Sequence, residues 1–308
     1  MIDDIHIHFE EGQLSILNLC LGFLMFGVSL DIDFTAFRKV LAQPKSLAVG
    51  LVSQLVLLPL LSLALIYILN PHPSLALGML LIAACPGGNV SNYAVHISGA
   101  NTALSVTLTS ISTLASALTT PLIFAFLQKH LPGQEVREIT LSVWQMSSSL
   151  LKLIILPIIL GFIFRRYFPG LTQKILPWIK QLSMLIFLSF VVFAVIGNFD
   201  NIKNYLYLVF WLVLIHNSLA LAMGYFIGKP FGLAERDCQT ISIETGIQNS
   251  GLGLILVFNF FDGLGGMALI TAWWGIWHLL SSFLLARYFK NINNKNQPAQ
   301  PSLSSDLN

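Results

Sequence analysis

Charged side chains are scarce in this chain of 308 residues. Asp, Glu, Lys and Arg make up 10% of it, and hydrophobic residues make up 55%. A soluble domain carries about a quarter charged residues, whereas the mean hydropathy here is +0.76. Most of the chain is therefore expected to lie in lipid as one polytopic membrane unit. The net charge of +2 is too small to indicate a nucleic-acid partner.

Cysteine and the sequence signatures of enzymes are also rare or missing. Cys20, Cys85 and Cys238 lie in or beside apolar runs without paired spacing, which indicates packing residues rather than a disulfide or metal framework. Residues 1–11 are acidic and lack the basic start of a cleavable signal peptide, so none is expected. The sequence contains no His-Glu-x-x-His motif, no Gly-x-Ser-x-Gly motif and no paired aspartates within an apolar run. An intramembrane enzyme is therefore not expected.

Long apolar runs dominate what is present. A membrane-spanning helix needs about 20 apolar residues, and about nine runs of that length predict an all-α polytopic membrane protein. The predicted helices cover residues 13–32, 46–69, 74–99, 102–128, 138–164, 175–198, 205–228, 236–261 and 265–288. The tail, residues 291–308, is rich in Asn, Gln, Ser and Pro and is predicted to be a disordered cytoplasmic segment.

Lysine and arginine are unevenly divided between alternate loops. One side holds Arg38, Lys39, Lys45, Arg165, Arg166, Lys174, Lys229, Arg236, Arg287, Lys290 and Lys295. The other side holds Lys129, Arg137 and Lys203. Because short cytoplasmic loops carry the excess of positive charge, the N-terminus is predicted to lie outside and the C-terminus in the cytoplasm. The membrane is predicted to be the plasma, or inner, membrane.

Glu244 is the one acidic residue predicted to lie well inside a span. It opens the stretch Glu244-Thr-Gly-Ile-Gln-Asn-Ser250, in which polar side chains and a glycine interrupt an apolar helix. A charge at the bilayer centre costs at least about 2.5 to 3.5 kcal/mol on insertion scales. Such a residue indicates a functional site by default, and the alternative is a structural polar cluster that pins helices together.

The predicted helix over 74–99 is also interrupted. It contains Pro86-Gly-Gly-Asn-Val-Ser-Asn92, in which the proline removes a backbone donor and the two glycines leave helical geometry at little cost. Broken backbone at membrane depth is tolerated only where it is buried or lines a cavity. A simple proline kink is the alternative, and the three polar side chains after the glycines argue against it.

Polar side chains recur on two other predicted helices. Ten Ser or Thr residues occupy the nineteen positions from Thr102 to Thr120, and Ser105 and Thr109 share one helical face. Gln54 lies deep in an apolar run. Small polar stripes and lone glutamines often serve helix packing, but their oxygens also suit a hard cation. Both interpretations remain open on the residues alone.

The two interrupted helices occupy matching positions in the two halves of the chain. Each is preceded by a long apolar helix and followed by another, and the order is consistent with an inverted repeat that lacks its first helix. A pair of Gly- or Pro-interrupted segments in matching positions is the best sequence indicator of a transporter binding site.

At these two motifs the chain resembles the bile acid:sodium symporter family, and the similarity runs from Phe23 to Tyr288. The resemblance implies a single transmembrane unit over residues 1–290, with two crossed discontinuous helices and no first helix of the kind found in bacterial members. It also implies a panel domain and a core domain. The panel would hold about 13–32 and part of 138–198, and the core about 46–128 and 205–288.

The resemblance further implies sodium-coupled symport of an organic anion by alternating access, with two Na⁺ as coupling ions and no other cofactor. The first implied sodium site consists of Ser91, Asn92, Ser105, Thr109 and Glu244. The second consists of Gln54, Glu244, Gln248 and the backbone carbonyls of Thr245 and Ile247. The implied substrate residues are Asn89, Asn249 and His278. The anion stays open between bile-acid-like, pantoate-like and other carboxylates or sulfonates.

Two positions depart from the family pattern. Leu279 follows His278 where bacterial members often have Asn, and Asn89 stands where Thr is common. Proton coupling or Na⁺/H⁺ exchange on a related crossed-helix fold is the main alternative, with Glu244 as the titrating carboxylate. A sensor that does not transport is a second alternative, which substrate flux would exclude.

Overall fold

The computed structural model describes residues 11–31, 44–88, 90–132, 142–197 and 203–295, together with Ile2 and Val40. Over these residues the chain forms helices and no strand. The helices are α1 (Glu11–Asp31), α2 (Pro44–Leu69), α3 (Pro73–Ala84), α4 (Val90–Ser98), α5 (Thr102–Gln128), α6 (Val143–Tyr167), α7 (Pro169–Gly197), α8 (Leu206–Phe226), α9 (Glu235–Gly246), α10 (Ser250–Phe260) and α11 (Gly265–Lys295).

Five of these helices, α2, α5, α6, α8 and α11, are long and apolar enough to cross a membrane. Shorter apolar stretches lie in α1, α3 and α10. This composition is that of a polytopic membrane protein, as predicted. Most predicted helix ends agree with the structure within a few residues, but α7 begins at Pro169 rather than at residue 175. Proline suits the first turn of a helix because its missing N–H is not needed there.

The two predicted interruptions are present. After α3, Cys85 adopts an extended conformation, and α4 begins only at Val90. After α9, Ile247 is extended with φ −110° and ψ 108°, and α10 begins at Ser250. Both breaks are surrounded by buried residues, which is the environment that interrupted backbone at membrane depth requires.

The two breaks satisfy each other's backbone groups. The amide of Gly88 donates to the carbonyl oxygen of Ile247 at 3.1 Å, and the amide of Asn249 donates to that of Pro86 at 2.8 Å. A side chain at position 88 would have no room, because its Cβ would stand 2.9 Å from the carbonyl oxygen of Gln248. The glycine is therefore needed for the close approach of the two chain segments.

Two helices contain a wider, π-helical turn, at Ser53–Leu57 in α2 and at Leu151–Ile155 in α6. Each turn directly precedes a Leu-Pro pair that ends in Pro59 or Pro157. Because proline cannot donate and crowds the preceding turn, a local change of helical pitch accommodates it. Gln54 lies inside the first of these turns, which alters the direction of its side chain relative to a regular helix.

The helices pack in distinct groups. α1 packs mainly against α6 and α7, whereas α11 packs along α3, α4 and α10 and α9 packs against α8. The largest buried apolar cluster includes Leu80, Ile255, Ile270 and Trp274. Both interrupted helices thus lie in the part of the fold that α2, α5, α8 and α11 surround.

The last helix is longer than predicted. α11 continues to Lys295, so the predicted start of the disordered tail at residue 291 is wrong for its first five residues. The physical reason is Asn293, which is buried and forms side-chain hydrogen bonds to two other helices. Residues 296–308 lie outside the described residues.

Candidate functional site

The carboxylate of Glu244 is fully buried and accepts hydrogen bonds from four side chains. Its Oε1 accepts from the hydroxyls of Ser91, at 2.5 Å, and of Ser105. Its Oε2 accepts from Thr109 Oγ1 at 2.9 Å and from Gln54 Nε2 at 3.3 Å. A buried charge is costly unless such partners replace its water shell. Helices α2, α4 and α5 therefore converge on the end of α9.

Asn92 completes the first predicted group. Its Oδ1 lies 2.8 Å from Ser105 Oγ and 3.3 Å from Thr109 Oγ1, so it competes with the Glu244 carboxylate for the single proton of each hydroxyl. The two hydroxyls, one helical turn apart on α5, thus lie between a carboxylate and an amide oxygen. The structure brings together all five predicted residues of this group: Ser91, Asn92, Ser105, Thr109 and Glu244. Hydroxyl, amide and carboxylate oxygens are the donor set that a hard cation prefers.

Two amide oxygens of the second predicted group are unpaired within the part of the chain that the structure describes. Gln54 Nε2 donates to the backbone carbonyl of Glu244 at 2.8 Å, and Gln248 Nε2 donates to that of Thr245 at 2.9 Å. The Oε1 atoms of Gln54 and Gln248 are buried, and neither has a hydrogen-bond partner among the described residues. A buried acceptor without a partner costs free energy. The two amides therefore suit a bound cation, which would supply the missing partner.

Two supporting residues, Ser53 and Asn217, were not assigned to the site from the sequence. Ser53, which follows no polar pattern, hydrogen-bonds through its hydroxyl to that of Thr245 at 2.8 Å. Asn217 donates through Nδ2 to the carbonyl oxygen of Gly246 at 2.7 Å, and its Oδ1 accepts from Ser281 at 2.7 Å. The His216-Asn217-Ser218 cluster is conspicuous in an apolar run, but its residues alone do not indicate that Asn217 supports the end of α9.

The structure describes two of the three predicted substrate residues, Asn249 and His278. Asn249 caps α10, since its Oδ1 accepts from the amide of Leu252 at 2.9 Å. His278 lies in α11 and is buried, and its Nδ1 has no partner among the described residues. The structure shows no hydrogen bond between these two described side chains. Asn89 lies outside the described residues.

Two interrupted helices that meet at a buried polar centre, surrounded by long apolar helices, are typical of membrane transport proteins. The comparison with known families agrees. The model of the Sodium Bile acid symporter family matches residues 18–205. The chain belongs to that family, and the family predicted from the two motifs is confirmed.

Individual relatives are similar over most of this chain. The uncharacterized sodium-dependent transporter YocS of Bacillus subtilis (strain 168) is 31% identical over 294 residues, which cover 95% of this chain and 88% of that protein. The probable sodium/metabolite cotransporter BASS2, chloroplastic, of Oryza sativa subsp. japonica is 32% identical over 270 residues, which cover 82% and 62%. The probable sodium/metabolite cotransporter BASS1, chloroplastic, of Arabidopsis thaliana is 31% identical over 248 residues, which cover 80% and 59%. This chain thus spans less than two thirds of these two plant proteins.

Proposed function

We propose that this protein couples the inward movement of Na⁺ to the uptake of a small organic anion by alternating access. The observation that carries the proposal is the buried carboxylate of Glu244 with its surrounding neutral oxygens. Among the described residues it has no basic side chain as a partner, and the buried Oε1 atoms of Gln54 and Gln248 have no hydrogen-bond partner. Related proteins are named as sodium-dependent transporters and sodium/metabolite cotransporters.

The proposed sodium sites share the Glu244 carboxylate. The first uses the amide oxygen of Asn92 and the hydroxyl oxygens of Ser91, Ser105 and Thr109. The hydroxyl protons turn away from the carboxylate when the cation arrives. The second uses Gln54 and Gln248, with the backbone carbonyls of Thr245 and Ile247. Two cations around one carboxylate leave net positive charge in a low-dielectric region, and a neighbouring anion offsets that charge. This is the proposed physical basis of coupling.

The proposed substrate is a carboxylate or sulfonate bound near the two breaks. The N-termini of α4 and α10 point partial positive charge toward the breaks, and such ends favour anionic groups. Asn89, Asn249 and His278 are the proposed substrate residues. A neutral or cationic solute that is transported in preference to carboxylates and sulfonates would contradict this assignment.

The proposed architecture has nine spans in the plasma, or inner, membrane. We propose that α3–α4 and α9–α10 cross at their breaks and that α1, α6 and α7 form a panel against which the remaining core helices rock. The positive charges of alternate loops support an external N-terminus and a cytoplasmic C-terminus. A tag at the N-terminus should then be accessible from outside intact cells and a tag after Lys295 should not. Both tags on one side would contradict the nine-span proposal.

The decisive experiment measures binding and uptake with and without Na⁺. A thermal-shift screen of carboxylates and sulfonates in NaCl or choline chloride identifies a substrate, since a ligand that binds the folded state raises its melting temperature. Uptake of that compound into proteoliposomes is then measured for wild type and for Glu244→Gln. Glu235→Gln, at the exposed start of the same helix, is the matched control for the lost charge. Sodium-driven uptake by Glu244→Gln at the wild-type rate would overturn the proposal.

The rival proton-coupled functions use the same carboxylate, and the same proteoliposomes distinguish them from sodium symport. Sodium symport predicts uptake that requires an inward Na⁺ gradient and persists when the pH is equal on both sides. Proton coupling predicts uptake driven by an inward proton gradient in choline chloride. Na⁺/H⁺ exchange predicts sodium-driven movement of protons without any organic anion.

A further inference from the structure

The last turn of α11 connects the two half-helices that carry the Glu244 cluster. Asn293 Nδ2 donates to the carbonyl oxygen of Ser98, the last residue of α4, at 2.9 Å. The same Nδ2 donates to Oε1 of Gln239, in α9, at 2.8 Å, and Gln239 Nε2 donates back to Asn293 Oδ1 at 3.2 Å. Asn293 is 8% exposed and Gln239 is fully buried. One side chain thus bridges three helices.

The hydrogen bonds fix the orientation of the Asn293 amide. Both of its N–H groups are used on carbonyl oxygens, and its oxygen accepts from Gln239. A rotated amide would place its oxygen against two other oxygens and would lose all three bonds. The carbonyl of Ser98 is one of the free carbonyls at the end of α4, which need a partner when buried. The contact is therefore specific to an amide at position 293.

The bridge lies at the opposite end of α4 from the proposed cation site, and in α9 it lies at Gln239, between the start of the helix and Glu244. The start of α4 carries Ser91, and the end of α9 carries Glu244, which are joined at 2.5 Å. Between this contact and the bridge, an apolar cluster joins the two half-helices to α11, and its members include Ala94, Val95, Ile243, Ala286 and Phe289. The half-helices are thus joined at Ser91 and Glu244, through this apolar cluster and again at the Asn293 bridge.

We infer that Asn293 is a positioning residue for the cation site, acting through the spacing of α4 and α9. A packed helix moves as a unit, so a change at Ser98 and Gln239 shifts the oxygens of Ser91 and Glu244 relative to each other. The inference rests on the proposed sodium function of the Glu244 cluster. It places a determinant of cation affinity in the segment that the sequence predicts to be a disordered tail.

The test compares two neighbouring asparagines. Asn293→Asp keeps the shape of the side chain but removes both N–H donors, and Asn294→Asp introduces the same charge at an exposed position. Sodium binding is titrated with NaCl, at constant ionic strength with choline chloride, through the melting temperature of the purified full-length protein. We expect Asn293→Asp to raise the half-saturating Na⁺ concentration by roughly five- to tenfold, within the range of ordinary coupling between sites. Asn294→Asp should leave it unchanged.

Further variants separate positioning from stability. The double variant Gln239→Asn with Asn293→Gln exchanges the two amides and should restore sodium affinity toward the wild-type value, which a general loss of packing would not allow. If Asn293→Asp does not fold, Asn293→Ala is titrated with NaCl instead, and its sodium affinity is compared with that of the same double variant. A variant that melts earlier in choline chloride but keeps the wild-type sodium affinity would overturn the inference and leave the proposed function standing. A wild-type protein without any response to Na⁺ would overturn both.

Discussion

Gln54 and Glu244, 190 positions apart in the chain, are joined by two hydrogen bonds from one amide nitrogen. Gln54 Nε2 lies 2.8 Å from the backbone carbonyl oxygen and 3.3 Å from the carboxylate of Glu244. The π-helical turn of α2 provides the position from which Gln54 makes both contacts. An uninterrupted helix thereby becomes part of a site that the two interrupted helices otherwise form.

Replacement of Gln54 tests whether the proposed second sodium site depends on its free oxygen. Gln54→Ala removes the unpaired buried Oε1. It also removes the hydrogen bond from Nε2 to the Glu244 carboxylate, and a hydrogen bond to a charged group contributes about 1.5 to 3 kcal/mol to stability. We expect the dependence of uptake on Na⁺ to lose its sigmoidal shape and the half-saturating concentration to rise about tenfold or more. Gln145→Ala, an exposed glutamine of α6, is the control. Sigmoidal sodium activation in Gln54→Ala would contradict the second site.

Glycine replacements at the first break separate chain packing from cation binding. At Gly88 an added Cβ meets the backbone oxygen of Gln248 at 2.9 Å, and backbone cannot yield cheaply. We therefore expect Gly88→Ala to lower the stability by about 1 to 3 kcal/mol, the usual cost of overpacking. Chemical unfolding of the purified protein measures this change, and a Gly88→Ala protein as stable as wild type would contradict the close approach of the two breaks.

A side chain at Gly87 would meet the Glu244 carboxylate and the Gln54 amide rather than the partner backbone. An added Cβ would stand 3.0 Å from Gln54 Nε2 and 3.1 Å from Glu244 Oε2. Gly87→Ala should therefore weaken sodium binding more than it lowers stability, as measured by NaCl titration of the melting temperature. Gly170→Ala, in α7, meets no atom of the described residues within 4 Å and serves as the control. Unchanged sodium affinity in Gly87→Ala would contradict a role of this glycine in the cation site.

The sequence predicts most of the helix positions and the residue types of the site, but it does not predict how distant residues pair. Apolar runs and the Pro86 motif locate the helices and the first break because both are local properties of the chain. The position of Glu244 within an apolar run is also a local property, and the cost of a carboxylate in lipid marks this residue as functional. In contrast, Ser53 and Asn293 have roles that arise only when helices far apart in sequence pack together. The polar composition of the tail therefore led to a wrong boundary, since a buried asparagine and an exposed one look alike in sequence.

Asn249 has a structural role as well as its proposed role at the substrate, and two variants distinguish them. Its Oδ1 caps α10 through the amide of Leu252, so Asn249→Ala loses a cap worth about 1 kcal/mol in addition to any contact with substrate. Asn249→Ser retains a capping oxygen. We expect Asn249→Ser to recover most of the stability but not the substrate affinity, with sodium affinity close to that of wild type. Recovery of substrate affinity by serine would reduce the role of Asn249 to capping.

Lys229 and Glu235 form an ion pair across the loop between α8 and α9, and Tyr225 Oη donates to the same carboxylate at 2.5 Å. Partial burial alone would raise the pKa of the Glu235 carboxyl, but the hydrogen bonds from Lys229 and Tyr225 outweigh it and lower that pKa below its ordinary value of 4.5. The hydrogen bond to Glu235 raises the pKa of Lys229 above its ordinary value of 10.5. The stabilisation is therefore present above the ordinary pKa of the glutamate and disappears as the pH falls through its lowered value. On the alkaline side it is complete below the ordinary pKa of the lysine and disappears as the pH rises through its raised value.

The last prediction concerns the size of this effect and its dependence on pH. The side chains of Lys229 and Glu235 are 40% and 42% exposed, and exposed ion pairs contribute at most about 1 kcal/mol. Local opening is therefore a better measure than global unfolding. We expect Glu235→Gln to increase hydrogen–deuterium exchange in residues 227–234 at neutral pH. Because the intrinsic exchange rate also varies with pH, wild type and variant are compared at each pH. Their difference should vanish in acid, once the pH has fallen below the lowered pKa of the Glu235 carboxyl. A difference that persists unchanged in acid would show that Glu235 acts through packing, since protonation of the wild-type carboxyl removes the charge that the variant lacks.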